Sequence, residues 1–287
     1  MSHTTNPSYV ARLMKERGFS TKKRFGQNFL IDQNIANRII ATANLQKNEW
    51  ALEIGPGLGA LTVHLAAQAA HVLAMEIDIS LVAILRETLE NPQTTIWEGD
   101  ALAADWRELL QDAGWQGQPL KLVANLPYYL TTPLVMKALE SDLPFRSIVV
   151  MVQKEVATRM LASPGSKDVG VLSFAVQYYA RGRLAMNVPK TVFLPAPDVE
   201  SAIVELTLRP PEVDAPKDAL FAVIRSGFGQ RRKTLRNSLR PLLDEWGLSP
   251  ATLEHAMLQA KLDPQIRAER LSLEDFSTLT KELLKGV

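Results

Sequence analysis

The sequence predicts an α/β fold with a mainly parallel sheet, followed by a small helical domain, and three observations support this. Between Trp50 and Leu208, short apolar runs alternate with stretches of helical periodicity, the pattern of βαβ units. After Leu208 comes "RPPEVDAPKD", rich in proline and acid, which marks a boundary and gives domains at 1–208 and 209–287. Beyond it only helical periodicity remains. With 287 residues, 46% of them hydrophobic, the chain can bury one full α/β core and still supply a second, smaller domain.

In chain order, "DQNIANRIIATANL" opens on Asp32 as an N-cap and sets Ile35, Ile39 and Ile40 on one helical face, a helix expected to lean on the sheet edge. The strands expected next are "WALEI", "HVLAMEI", "TTIWEG", "KLVAN", "SIVVMV", "FAVQYYA" and "SAIVELTL". Continuous apolar runs suit strands buried on both faces, whereas the alternation in "SAIVELTL" predicts a half-exposed, antiparallel strand at or near the end of the sheet. In the helical domain, "DALFAVIRSGFGQRRKTLRNSLRPLL", "SPATLEHAML" and "SLEDFSTLTKELL" read as helices, with Ser249 and Ser272 as N-caps. The glycines flanking Phe228 predict a turn, after which Arg232, Arg236 and Arg240 recur at helical spacing on one face.

Composition excludes several function classes. Without cysteine there are no disulfides, thiolate metal sites or cysteine nucleophiles, and His3, His64, His71 and His255 form no ligand-spaced cluster, so no metal is expected. "MSHTTNPSYVARLMKERG" lacks the apolar core of a signal peptide, and no apolar run approaches the roughly 20 residues of a membrane span, so a cytoplasmic protein without a membrane partner is expected. The net charge of +1 gives no global argument for a polyanionic partner, yet basic residues cluster twice. One cluster ends in Lys22, Lys23 and Arg24; the other, "RSGFGQRRKTLRNSLR", carries Arg225, Arg231, Arg232, Lys233, Arg236 and Arg240 with no acid among them. Such a run is by default a solvated helix face, and the charges alone do not decide.

"EIGPGLGALT", Glu53 to Thr62, follows the first strand and opens a helix. Gly55 permits a tight turn, Gly57 lets backbone approach a ligand, and the helix N-terminus presents unpaired N–H groups. The second strand delivers Glu76 roughly 20 residues on, where a carboxylate can accept both hydroxyls of a ribose. Asp100 follows the third strand at the same edge and can take the exocyclic amine of an adenine. An adenosine-bearing cofactor on a Rossmann-like domain is the expectation. A nicotinamide dinucleotide and S-adenosylmethionine both remain open, since the glycines cannot choose between them.

The fourth strand ends in "NLPYYL". A purine exocyclic amine is a poor nucleophile, because its lone pair is delocalised into the ring. If the Asn125 side-chain carbonyl and the Leu126 backbone carbonyl accept its two hydrogens, the nitrogen moves toward sp³ geometry and its lone pair aims at an incoming methyl. Pro127 fixes the turn, and Tyr128 offers a ring on which a flipped base can stack.

Here the sequence resembles a known family. "NLPY" with "EIGPGLGALT" is similar to the Asn/Asp-Pro-Pro-Tyr amino-methyltransferases. "KKRFGQNFL", Lys22 to Leu30, and "FLPAPDVESAIV", Phe193 to Val204, narrow the resemblance to the ribosomal RNA adenine dimethyltransferases, the small-subunit enzymes in particular. The resemblance runs from about Lys22 to the end of the chain. It implies S-adenosylmethionine as cofactor, with Asn28 and Leu30 contacting it beside Gln27. Gly55 would lie under its methionine part, Glu76 would hold its ribose and Asp100 its adenine amine. Asn125 is implied at both cofactor and target amine, with Tyr128 and Phe193 on the two faces of the target base. The implied substrate is a pair of adjacent adenosines in a hairpin near the 3′ end of 16S rRNA, within an assembling small subunit, and the implied enzyme is a monomer. An RNA substrate turns the basic clusters into expected phosphate contacts. A large-subunit rRNA dimethyltransferase and a non-catalytic nucleic-acid-binding relative are the alternatives.

Overall fold

A computed structural model of the chain describes residues 5–16, 27–89, 91–230 and 232–286. The chain divides into two compact units: Met1–Ala157 with Gly182–Leu208, and Thr158–Arg181 with Arg209–Val287.

The first unit begins with α1 (Pro7–Glu16), the short strand β1 (Phe29–Leu30) and α2 (Gln33–Ala43). Asp32 caps α2 by accepting hydrogen bonds from the Asn34 and Ile35 amides, while Ile35, Ile39 and Ile40 are buried. There follow β2 (Trp50–Ile54), α3 (Thr62–Ala66), β3 (His71–Glu76), α4 (Ile79–Thr88), β4 (Thr94–Glu98), α5 (Trp106–Asp112) and β5 (Leu120–Asn125). A 3₁₀ turn over Tyr128–Leu130 leads into α6 (Thr131–Glu140), β6 (Phe145–Gln153) and α7 (Lys154–Met160). The seven-stranded sheet has the order β4-β3-β2-β5-β6-β9-β7, with β7 at Ala180–Val188 and β9 at Ser201–Leu208. Pairings from β4 through to β6 are parallel, and β9 runs antiparallel to β6. A two-stranded sheet joins β1 to β8 (Phe193–Leu194).

Helix α2 packs on the face of the sheet over β5, β6 and β9, not at its edge as expected. Its three isoleucines share a core cluster with Val123, Val149 and Ile203, one residue from each of those strands. β9 is antiparallel and near the end of the sheet as read, but it is largely buried instead of half-exposed, with β7 paired along its outer edge and α2 packed on its face. β7, "ARGRLAMNV", escaped the sequence reading. It is an edge strand, exposed along Arg181–Leu184, and carries charge that blunts the open edge.

In the second unit, the predicted strand "FAVQYYA" belongs instead to a helix, α8 (Val171–Tyr179). Phe174 is fully buried and meets Phe276 edge-on at 5.0 Å and Phe228 at 5.7 Å. An apolar run buried on every side has no period to read, and tertiary packing overrides its strand-like composition. This helix is why the helical unit takes in residues ahead of 209. The remainder comprises α9 (Lys217–Gly229), α10 (Leu235–Ser238), α11 (Arg240–Trp246), α12 (Pro250–Gln259) and α13 (Leu273–Leu284). Ser249 and Ser272 cap α12 and α13 as expected.

Gly227 and Gly229 lie inside α9, not in a turn before a helix. Gly227 is there for packing, since a Cβ would come within 3.3 Å of both Ala268 Cβ and Leu235 Cδ1. The chain then breaks twice. Arg232 sits in the turn before α10, and Pro241, which cannot donate an amide hydrogen, separates α10 from α11.

Candidate active site

The strand order reverses between β2 and β5, the crevice where open α/β sheets place their ligands. One cleft opens at the carboxyl ends of these strands. Gln27, Asn28 and Leu30 line it from the N-terminal segment, and Gly55 and Gly57 from the turn after β2. Glu76 at the end of β3, Asp100 after β4, Asn125 at the end of β5, and Leu126, Pro127 and Tyr128 beyond it also line the cleft.

The glycine turn and the end of β5 abut. Gly55 has φ +69°, and a Cβ there would stand 3.6 Å from Pro127 Cδ and 3.7 Å from the Asn125 carbonyl oxygen. Gly57 has φ +62°, and its Cβ would come within 3.2 Å of the Phe29 ring. A side chain at Gly57 would meet both backbone strain and a clash. Its amide donates to Glu76 Oε2 at 3.1 Å, while the Asp78 amide donates to Oε1 at 3.0 Å. Glu76 is only 5% exposed. Burial pushes its carboxyl up, the two amides oppose the rise, and the Asp78 charge adds to it. Gln27 is tied to this corner through Nε2, which donates to Asp78 at 2.9 Å.

A second acid shares the floor and was given no role in the sequence reading. Glu53, the penultimate residue of β2, is 1% exposed, with no hydrogen bond to Oε2. Burial pushes its carboxyl up to about 8, with the nearby Thr62 hydroxyl opposing and Glu76 adding to the rise. The signal was present as one acid in the otherwise apolar "WALEI". These observations separate the two cofactors left open. The helix after the glycine turn has only five residues, and two buried carboxyl groups lie beneath the turn. A pyrophosphate would find only a short helix there, with Glu76 beside it, whereas the sulfonium and ammonium of S-adenosylmethionine suit a site lined by acceptors. Glu76 has the acceptors a ribose requires, and Asp100 stands exposed at the cleft mouth.

Asn125 occupies the last position of β5, half-buried, and donates from Nδ2 to the Asn28 carbonyl at 3.3 Å. That bond uses one of the amide's two donors and leaves its oxygen available as an acceptor. The Leu126 amide bonds the Met151 carbonyl at 3.2 Å, and the Pro127 carbonyl receives Leu130 N–H and Thr131 Oγ1. The turn is therefore tied to the sheet on one side and to α6 on the other. The Tyr128 hydroxyl lies 2.6 Å from Ser201 Oγ, which fixes its half-buried ring.

The structure does not bring Phe193 to this wall. It pairs with Leu30 across β1 and β8, is 3% exposed, and packs in the core cluster with Leu30 and Val192. Tyr129, 51% exposed, does line the cleft, and the sequence reading gave it no role of its own. Lys22, Lys23, Arg24 and Arg231 lie outside the described residues. Of the other basic candidates, Arg225, Arg232, Lys233 and Arg240 are exposed. Arg236 pairs with Glu254 of α12, an acid that the local sequence did not reveal. The three arginines expected on one helix face are distributed over a turn and two helices. Among the described residues no group of His, Asp and Glu could hold a metal ion, and no helix is long and apolar enough to cross a membrane.

Comparison with known proteins agrees with the site. Residues 18–285 match the family described as ribosomal RNA adenine dimethylase. Ribosomal RNA small subunit methyltransferase A of Lactiplantibacillus plantarum is 47% identical, the match covering 97% of this chain and 95% of that one. The protein of the same name from Bacillus thuringiensis is 45% identical, over 99% and 98%. Among solved structures, a dimethyladenosine transferase from Plasmodium falciparum superposes with a TM-score of 0.72 at 24% identity, over 89% of this chain and 97% of that one, and shares the fold. The 23S rRNA methyltransferase ErmE gives 0.66 at 25% identity, over 89% and 99%. With its glycine turn, buried Glu76 and "NLPY" in one cleft, the chain belongs to the ribosomal RNA adenine dimethylase family, the S-adenosylmethionine-dependent methyltransferases of rRNA adenines.

Proposed function

We propose that this chain transfers methyl groups from S-adenosylmethionine to N6 of two adjacent adenosines in a hairpin near the 3′ end of 16S rRNA, within an assembling small subunit, giving N6,N6-dimethyladenosine. It acts as a monomer in the cytoplasm. The observation that supports the reading is the approach of the end of β5 to the Gly55 turn at the reversal of strand order, where a Cβ on Gly55 would stand 3.7 Å from the Asn125 backbone carbonyl. The proposed target-amine acceptor thus adjoins the proposed cofactor turn. Relatives named as small-subunit enzymes at 45–47% identity, against 25% for the 23S enzyme, favour the small-subunit substrate.

In this reading Glu76 holds the cofactor ribose, Asp100 its adenine amine, and Gly57 gives the backbone close approach. Asn28, Leu30 and Gln27 close the cleft from the N-terminal side. Bound there, S-adenosylmethionine supplies a methyl on a sulfonium, a leaving group that needs no acid. The Asn125 side-chain oxygen and the Leu126 carbonyl accept the N6 hydrogens and localise the nitrogen lone pair, and the proton that N6 sheds on gaining a methyl passes to water. Tyr128, braced by Ser201, stacks on the flipped base. Arg225, Arg232, Lys233 and Arg240 neutralise RNA phosphates.

The test is methyl transfer to immature small subunits and, separately, to large-subunit rRNA, read by mass spectrometry of digested nucleosides and by primer extension. Dimethyladenosine at adjacent positions near the 3′ end of 16S rRNA is expected. Modification confined to 23S rRNA would transfer the chain to the large-subunit activity, and no transfer to either would leave nucleic-acid binding alone.

A further inference from the structure

The structure assigns to Lys137, which the functional reading does not use, the role of a positioning residue that holds the loop after β4 so that Asp100 faces a cofactor's adenine. Lys137 lies on α6, the helix that begins just after "NLPYYL", and its side chain reaches a different part of the sheet edge. Its ammonium donates to three backbone carbonyls of one loop: Ala101 at 3.1 Å, Leu102 at 2.7 Å and Ala104 at 2.6 Å. An ammonium has three donors, and all three are used within four residues of chain. The ring of Trp106 lies 5.0 Å from the same nitrogen, and Trp106 Nε1 adds a bond of 2.7 Å to the Ala101 carbonyl.

The loop so held begins at Asp100. Asp100 Oδ1 accepts from the Leu102 amide at 2.9 Å, and its carbonyl accepts from Ala103 and Ala104. The loop is therefore shaped from its start by Asp100 and from α6 by Lys137. Asp100 and Asp105 are the charged groups facing the ammonium, and both favour its charged form against partial burial, which pushes its pKa down. An exposed lysine solvates its head; here the head is spent on the carbonyls of one loop, which is costly unless the loop's shape matters. What that shape sets is the direction of Asp100 into the cleft that both Asp100 and Ala101 line.

The inference rests on the proposed adenine contact at Asp100, and the experiment separates the two. Affinities for S-adenosylhomocysteine and for S-inosylhomocysteine, which lacks the exocyclic amine, are measured by calorimetry for the wild type, Asp100→Ala, Lys137→Met and Lys137→Arg. Lys137→Met is expected to weaken the adenosyl ligand about tenfold, the worth of one well-placed hydrogen bond, and to leave the inosyl ligand unchanged. Lys137→Arg, which restores donors on a cationic stem, is expected to recover at least part of the discrimination. If Lys137→Met weakens both ligands equally, or neither, while Asp100→Ala abolishes discrimination, Lys137 is a packing residue and the inference falls. If Asp100→Ala leaves discrimination intact, the adenine contact itself is misplaced and the inference falls with it.

Discussion

The Gly57 amide donates a 3.1 Å hydrogen bond to the carboxylate of Glu76, nineteen residues further along the chain. This bond joins the turn after β2 to the end of β3, so the backbone expected beneath the cofactor and the acid expected on its ribose are one piece of structure. Replacing Glu76 with Ala removes both the proposed ribose acceptor and the anchor of the turn. S-adenosylhomocysteine affinity should fall by about 30- to 100-fold, the loss of charge-assisted hydrogen bonds in a buried site. Calorimetry is the measurement. Unchanged affinity would remove Glu76 from the site.

Glu53 makes stability depend on pH with a sign opposite to that of a salt-bridged acid. Unfolded, it titrates near its ordinary 4.5; folded, it holds its proton up to about 8. Between these values the folded state carries a proton that the unfolded state has lost. Its contribution to stability is complete below about 4.5, declines as pH rises by up to about 1.4 kcal/mol per unit, and levels off above 8. Glu53→Gln keeps the shape but cannot ionise, so its stability relative to wild type should rise with pH across this window. Urea unfolding at a series of pH values reads the difference. Parallel curves for the two proteins would mean that Glu53 is ionised and paired in the fold.

Much of this site was legible because its chemistry needs particular residues at fixed places along the strands. Gly55, Gly57, Glu76, Asp100 and Asn125 each follow or end a strand whose apolar run is unmistakable, so the strand ends located them before any coordinates did. Helix starts were legible for the same local reason, Asp32, Ser249 and Ser272 capping their own neighbours. What failed depends on distant partners. Phe174 looked like strand because nothing local says that Phe228 and Phe276 surround it. Glu53 and Lys137 were passed over because one is defined by what it lacks and the other by a loop more than thirty residues away. Arg236 looked unpaired because Glu254 comes from another helix.

The pairing of Arg236 changes what the basic cluster should do. Arg232 and Arg240 are exposed, whereas Arg236 already has a carboxylate that an RNA phosphate would have to displace. Replacing Arg232 and Arg240 together with Ala should reduce the slope of log affinity against log salt by about 0.7 to 0.9 for each phosphate that is no longer neutralised. Arg236→Ala should change it less. Filter binding of a small-subunit hairpin across salt concentrations is the check, with S-adenosylhomocysteine affinity expected to stay constant. A double variant with the wild-type slope would make this a solvated face.

In the proposed reaction Asn125 governs the chemical step, and its neutrality suits two successive transfers. Its Nδ2 donates to the Asn28 carbonyl, and its side-chain oxygen is the acceptor proposed for the target amine. After the first methyl the amine keeps one hydrogen, and one of the two acceptors goes unused. A neutral amide tolerates this, whereas a buried carboxylate left without its donor would incur a larger desolvation penalty. Asn125→Ala should lower the transfer rate by about two to three orders of magnitude, as removal of one preorganised transition-state partner does, while RNA binding survives. Asn125→Asp should retain the first transfer better than the second, so that monomethyladenosine accumulates. Mass spectrometry of digested substrate distinguishes the products over time. A wild-type enzyme that stopped at the monomethyl nucleoside with excess cofactor would defeat this account of Asn125, as would an Asp variant that reached the dimethyl product at the wild-type ratio of rates.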